Sequence, residues 1–142
     1  HNGLRNEMEG FIKTYNTVAE LMLQHSALAF NHGVEEVFIG VVNGGTIYVV
    51  PYIQCGDPIP MTKIVHQELT TYTKVTPSES PTWIELRAAS GDQACTWRSA
   101  FAGGGPLTNH ALQQLAGLGL DKLGLYNTYG PSKISISSQT QI

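Results

Sequence analysis

Cys95 and His110 are the one pair of side chains in this 142-residue sequence that looks like a nucleophile with its base. The thiolate is the reactive form of cysteine, and an imidazole within hydrogen-bond reach would take the thiol proton. The glycine run Gly103-Gly104-Gly105 between them would offer backbone donors to developing negative charge. The competing reading is structural: in a strand, Cys95 shares a face with Trp97, Ser99 and Phe101, the surroundings of a buried thiol. His25 and His32 lie on one apolar stripe, so three copies of each would meet on the axis of a helical trimer. Axial imidazoles can hold a metal or an anion, but they also serve as plain polar layers. The expectation is no metal and no cofactor.

Other residues suggest recognition more than catalysis. His66 and Glu68 alternate on a predicted strand face, which suits an acid/base pair or a solvated surface. Trp83 and Trp97 fall on facing arms of a predicted hairpin. With Tyr126 and Tyr129 they form the candidate ligand-binding set, for a sugar ring or a protein surface. Asn43-Gly44-Gly45 and Gly103-Gly104-Gly105 lack the Lys-Ser/Thr of a P-loop and the GxGxxG that opens a helix, so both read as turns. The Cys–His pair resembles, in two residues, that of bacterial toxin glutamine deamidases of the cytotoxic necrotizing factor type. The Ser-Gly turn directly before the Cys in that family is stretched here to Ser90-Gly91-Asp92-Gln93-Ala94, and two residues do not assign a family.

These side chains must be positioned by the elements around them. Leu4, Met8, Phe11, Tyr15, Val18, Met22, His25, Ala29 and His32 keep an unbroken 3-4 spacing, which predicts one long amphipathic helix. Ile12, Ala19, Leu21 and Leu28 widen the stripe beyond a two-stranded seam. A trimer is therefore favoured over a dimer, with Leu4 through Ala29 as its interface. Two β-branched runs, 37–42 and 46–50, joined by Asn43-Gly44-Gly45, predict a hairpin. Residues 61–75 read as extended, 82–89 and 94–102 as a second hairpin, 107–118 as a short helix and 133–137 as a closing strand. The fold class predicted is α+β. A long N-terminal amphipathic helix precedes a mostly antiparallel β-sheet, with one short helix near the C-terminus. The expected organisation is a single domain over 1–142: residues 1–33 are the helix and candidate oligomerisation element, and 34–142 a β-rich head.

Bulk properties narrow the function. The net charge is −3, and 13% of residues are charged, against about 25% in an ordinary soluble protein. The eight basic residues stand singly, with no patch to neutralise a run of phosphates, so nucleic acid is disfavoured as a partner. No apolar run approaches the ~20 residues of a membrane span. Cys55 and Cys95 would be free to pair if the chain is exported. The reading that follows is a non-enzymatic, self-assembling structural or surface-recognition module. It would be the subunit or head of a viral or secreted assembly, extracellular or virion-associated, with copies of itself and a glycan or protein surface as partners. The alternative is a small secreted effector or toxin domain, a deamidase or hydrolase using Cys95 and His110.

Overall fold

A computed structural model of the chain describes residues 2–89, 96–109, 113, 123–129 and 138–141. Its elements alternate. They are α1 (Asn2–Tyr15), β1 (Leu21–Gln24), α2 (Asn31–Val42), β2 (Thr46–Val49), a 3-10 turn (Tyr52–Gln54), α3 (Pro58–Gln67), β3 (Tyr72–Val75), α4 (Ser80–Ala89), β4 (Ser99–Gly103), β5 (Gly124–Tyr129) and β6 (Ser138–Gln141). The strands form one sheet in the order β2-β1-β3-β4-β5-β6. The first five are mutually parallel, and β6 runs antiparallel to β5. The fold is α/β, not α+β with a mostly antiparallel sheet.

The predicted long helix is three elements. Asn16 takes a left-handed φ of 46° and stops α1. The stripe then runs on, by coincidence of spacing, through strand β1 into the start of α2. Met8 and Phe11 of α1 are buried against this chain's own sheet, packed with Tyr72 and Phe101, with Leu4 and Tyr15 partly buried beside them. Those four stripe residues thus have an intramolecular partner. Met22 is fully buried in β1, Val18 is exposed in the intervening loop, and His25 and Ala29 lie in the loop that follows β1.

The first predicted hairpin is also overturned. Residues 37–42 belong to α2, and β2 pairs parallel to β1. Asn43-Gly44-Gly45 closes a helix instead of joining two strands. Gly44 has φ +66°, its N–H donates to the Val41 carbonyl (3.1 Å), and the Gly45 N–H donates to the Gly40 carbonyl (2.9 Å). That is a Schellman ending, which demands the same positive φ as a hairpin turn. Gly40 lets α2 sit close on the sheet, since a Cβ there would lie 2.8 Å from Ile47 Cγ1 and 3.2 Å from Met22 Cγ.

The segments read as extended over 61–75 and as a strand over 82–89 are largely helical. Asp57 caps α3 by accepting the Ile59 N–H (3.0 Å), with Pro58 in the first turn. Before α4, Thr76 and Glu79 form one half of a capping box, with the Glu79 N–H donating to the Thr76 carbonyl (3.1 Å) instead of the hydroxyl. The Glu79 carboxylate accepts the Thr76 N–H (3.0 Å) and hydroxyl (2.7 Å). β4 lies between parallel neighbours and is no hairpin arm. Of the predicted 107–118 helix, Asn109 and Gln113 are described and helical. The predicted strand 133–137 lies outside the described residues.

Both faces of the sheet are covered. Leu23, Val75 and Ala100 face α3 and α4, with Met61, Val65, Trp83 and Ile84. Met22, Tyr72 and Phe101 face α1 and α2, with Met8, Phe11 and Ile39. Tyr72, Phe101 and Tyr126 stack across three adjacent strands at centroid distances of 4.7 and 4.4 Å. At the amino-terminal edge, buried Glu20 accepts Arg98 Nη2 (2.5 Å), Arg98 Nε (3.2 Å) and the Thr71 hydroxyl (2.5 Å), which pins β1 to β3 and β4.

Candidate functional site

Strand order decides where a parallel sheet opens. The chain leaves β1 for β2 on one side and then crosses back over β1 to reach β3 on the other, so the order reverses between β1 and β3. At such a switch point the flanking loops splay apart at the carboxyl ends of the strands and leave a crevice. A cavity of about 700 Å³ lies there, within the size range of small-ligand sites. His25 and Ser26 reach it from the end of β1, Thr76 from the end of β3, Gly104 from the end of β4 and Thr128 from β5. Asn31 and His32, in the first turn of α2, and Glu79 add to the wall. A second hollow of about 610 Å³ shares Gly104 and Thr128 and continues over Gly105, Pro106, Asn127 and Tyr129.

Buried Glu36 of α2 holds the β1–α2 loop in place. Its Oε2 accepts the His25 N–H (3.2 Å) and the Ser26 N–H (3.1 Å), and its Oε1 accepts the Ser26 hydroxyl (2.7 Å). Burial pushes the Glu36 carboxyl up to about 7, against the pull of the hydrogen bonds from Ser26, His25 and Gln24. His25 Nε2–H donates to the Lys74 carbonyl (2.8 Å), which leaves Nδ1 as the acceptor of a neutral ring. Burial holds the His25 imidazole below its usual value, opposed by that carbonyl and by Glu79.

His32 rests over the end of β4. A Cβ on Gly103 would lie 2.9 Å from His32 Nε2 and closer still to Thr128 Oγ1, so only glycine fits. Burial, then the charges of Lys74 and His25, pull the His32 imidazole down to about 4. At neutral pH the cavity therefore presents uncharged imidazoles. Behind this wall Lys74 of β3 and Glu35 of α2 form a fully buried ion pair. Burial lowers the Lys74 ammonium, while contact with the Glu35 carboxylate favours its charged form.

The residues singled out from sequence fare unevenly. His25 and His32 do come together, but in one cavity and not on a helical axis. Cys95 and His110 lie outside the described residues. Cys55, the free thiol among the described residues, sits at the cavity edge with Sγ 3.7 Å from the Pro51 carbonyl oxygen; burial raises it, so it is no ready thiolate. Trp83 and Trp97 are 1% and 2% exposed and offer no platform. The Trp97 indole is satisfied by Thr73 Oγ1 at 3.0 Å. Tyr126 faces the core, stacked on Phe101, while Tyr129, three residues on and so on the opposite face, is 67% exposed beside the second hollow. His66 and Glu68 lie at the end of α3, where a spacing of two does not bring side chains together. No group of three metal-ligating side chains occurs among the described residues. Asn31, Lys74, Thr76, Glu79 and Thr128 are not among the sequence candidates, and Gly104 is there only as part of a glycine-run turn. The Thr76-x-x-Glu79 capping signature marks the β3–α4 junction and was the available signal for two of them.

No family model matches the chain. Over 138 residues, 97% of the chain, it is 47% identical to the hybrid PKS-NRPS synthetase traA of Penicillium crustosum and to thnA of Trichoderma harzianum. Its homologues are hybrid PKS-NRPS synthetases. The chain spans 4% and 3% of the length of those two curated relatives. The fold matches that of solved nonribosomal peptide synthetase structures. The whole chain superposes on 16% of FmoA3 with a TM-score of 0.85 at 23% identity. It covers 26% of the Vibrio cholerae adenylation domain AlmE, solved in complex with glycyl-adenosine-5'-phosphate, with a TM-score of 0.77 at 21% identity. These relatives overturn the reading as a structural or recognition module of a viral or secreted assembly, and equally its toxin-like alternative. The homologues are biosynthetic enzymes.

Proposed function

We propose that this chain is a segment of an adenylation domain within a longer synthetase, and that it builds one wall of the cleft in which a carboxylic acid is activated with ATP. One observation carries this reading. The cavity lies at the switch point of a parallel sheet whose solved neighbours include one holding an acyl-adenylate, glycyl-adenosine-5'-phosphate. FmoA3, of the same fold, has been solved with AMPPNP and with alpha-methyl-L-serine-AMP.

The two hollows divide the work. The acid sits in the cavity between His25, Asn31 and His32, and the nucleotide takes the adjoining hollow. Gly104 and Gly105 leave room there for a flat ring, and exposed Tyr129 gives it a stacking face. Gly104 and Thr128 border both spaces, which is where carboxylate and α-phosphate must meet. A carboxylate oxygen attacks the α-phosphorus. The new C–O–P bond forms, the bond from that phosphorus to the bridging oxygen of the β-phosphate breaks, and pyrophosphate leaves. The acid arrives already ionised at neutral pH, so no general base is required of this wall. Its contribution is positioning, by rigid strand ends and by the Glu36-held loop.

The test is calorimetric titration of the full-length polypeptide with a non-hydrolysable acyl-sulfamoyl adenosine. Binding that competes with ATP, and that a Gly103→Val substitution weakens at least tenfold, supports the reading. Binding untouched by Gly103→Val, or no competition with ATP, contradicts it.

A further inference from the structure

The four helices differ in what they show to solvent. Arg5, Glu9 and Lys13 are exposed on α1, Lys63 and His66 on α3, and Thr82 and Glu85 on α4. Helix α2 has no such polar face. Its two charged residues, Glu35 and Glu36, are both buried, and its outer side is the run Val34, Val37, Phe38, Val41 and Val42. That spacing of i, i+3, i+4, i+7 and i+8 is a complete apolar stripe. It is centred on the side of the helix away from Gly40, which rests on Met22 and Ile47 of the sheet. Phe38, Val41 and Val42 are 40%, 62% and 49% exposed. The Asn43 side chain donates to the Thr17 hydroxyl (3.0 Å), which brings the loop with exposed Val18 to the end of the same stripe. A helix that is apolar all round is one that is buried on both sides.

The shape of the face and its size select the occupant. Val34, Phe38 and Val42 form one i±4 ridge and Val37 and Val41 the next, with a groove between them that suits another helix. The twelve residues of α2 make a helix about 18 Å long. One stripe of that length falls well short of the roughly 800 Å² per partner that a free-standing dimer needs. A contact so small holds when chain connectivity supplies the partner at high effective concentration. The chain spans 4% and 3% of its curated relatives, and its fold fills 26% of the AlmE adenylation domain, so most of such a domain lies outside these elements.

Resting on the adenylation reading, we propose that the outer face of α2 is an internal docking surface, covered by an amphipathic helix from the remainder of the same adenylation domain. Apolar side chains of that helix interleave with Phe38, Val41 and Val42. Because α2 also carries Asn31 and His32 to the cavity, the covering helix braces the element that positions them.

The experiment is hydroxyl-radical footprinting of the full-length wild-type polypeptide, read by mass spectrometry and normalised to the same polypeptide unfolded in urea. Phe38, Val41 and Val42 should each be protected fivefold or more, as buried Ile39 is on the inner side of the same helix. Protection below fivefold overturns the proposal. The occupant is then identified by placing p-benzoylphenylalanine at position 42 and irradiating a mixture of isotopically light and heavy full-length polypeptides. The expected product is a cross-link within one chain, to a segment of the same adenylation domain whose apolar residues are spaced three and four apart. Cross-links between light and heavy chains assign the face to a second copy, and cross-links to another domain assign it there; either result, or no cross-link, overturns the proposed occupant. Acid-dependent ATP–pyrophosphate exchange by the same wild-type preparation separates the two readings. Exchange with an unprotected α2 face overturns the docking surface alone. A protected face without exchange on any acid leaves the face covered and overturns the adenylation reading.

Discussion

Replacing Glu36 with Gln should change how stability depends on pH, by an amount the structure sets. The carboxyl is fully buried and pushed up from 4.5 to about 7. Between those values the folded state keeps a proton that the unfolded chain has lost. Stability contributed by this group is thus greatest below the unfolded value and falls as pH rises toward the folded one. A displacement of that size corresponds to about 3 kcal/mol across the window. His32 acts in the opposite sense. Held down to about 4, it makes stability rise with pH between that value and 6.5, more weakly because it is only part-buried and solvent screens it. His25, lowered by burial, adds to that rise. In wild type the trends offset each other. In Glu36→Gln the falling limb is gone. The amide oxygen still accepts the His25 and Ser26 N–H groups, and the Ser26 hydroxyl turns to accept from the amide. The assay is urea unfolding followed by fluorescence of buried Trp83 and Trp97, at intervals from pH 4.5 to 7.5. The variant's stability minus that of wild type should grow by about 3 kcal/mol over that range. A difference that stays constant would refute the account of a carboxyl held neutral by burial.

Other perturbations address the frame around the site. Gly45→Ala should lower stability by about 2 kcal/mol or more, read as a fall in Tm, because its Cβ would lie 2.8 Å from the Glu20 nitrogen and closer to its carbonyl oxygen. Leu69 closes α3 with a left-handed φ of 56° and is 58% exposed. Leu69→Gly should therefore stabilise the chain by about 1 kcal/mol in chemical denaturation. Phe101→Ala removes the middle ring of the Tyr72–Phe101–Tyr126 stack and should cost about 3–5 kcal/mol, measured the same way.

The sequence's turn signals were legible as punctuation, but what they punctuated was not. Asn43-Gly44-Gly45 does supply a positive φ, yet a helix end needs it as much as a hairpin does, and only pairing partners distinguish the two. Strands of four residues buried on both faces read as continuous apolar runs, not as alternation, so Leu21–Gln24 merged into a helical stripe. The β-branched run 37–42 became helical because Ile39 and Gly40 pack on Met22 and Ile47, a tertiary effect that overrides propensity. The site was half visible. His25, His32 and Tyr129 drew attention for their chemistry, though for the wrong geometry. Thr76, Gly104 and Thr128 matter because of where parallel strands end, and that requires the topology first.

The central claim, that the crevice between the ends of β1 and β3 activates a carboxylic acid with ATP, is tested most directly by pyrophosphate exchange. Full-length polypeptide is incubated with ATP, labelled pyrophosphate and a panel of amino and hydroxy acids. Label should enter ATP only when a fitting acid is present, and that exchange should be lost when Gly103→Val drives a side chain against His32 and Thr128. Exchange that proceeds without acid, or that survives Gly103→Val unchanged, would contradict it.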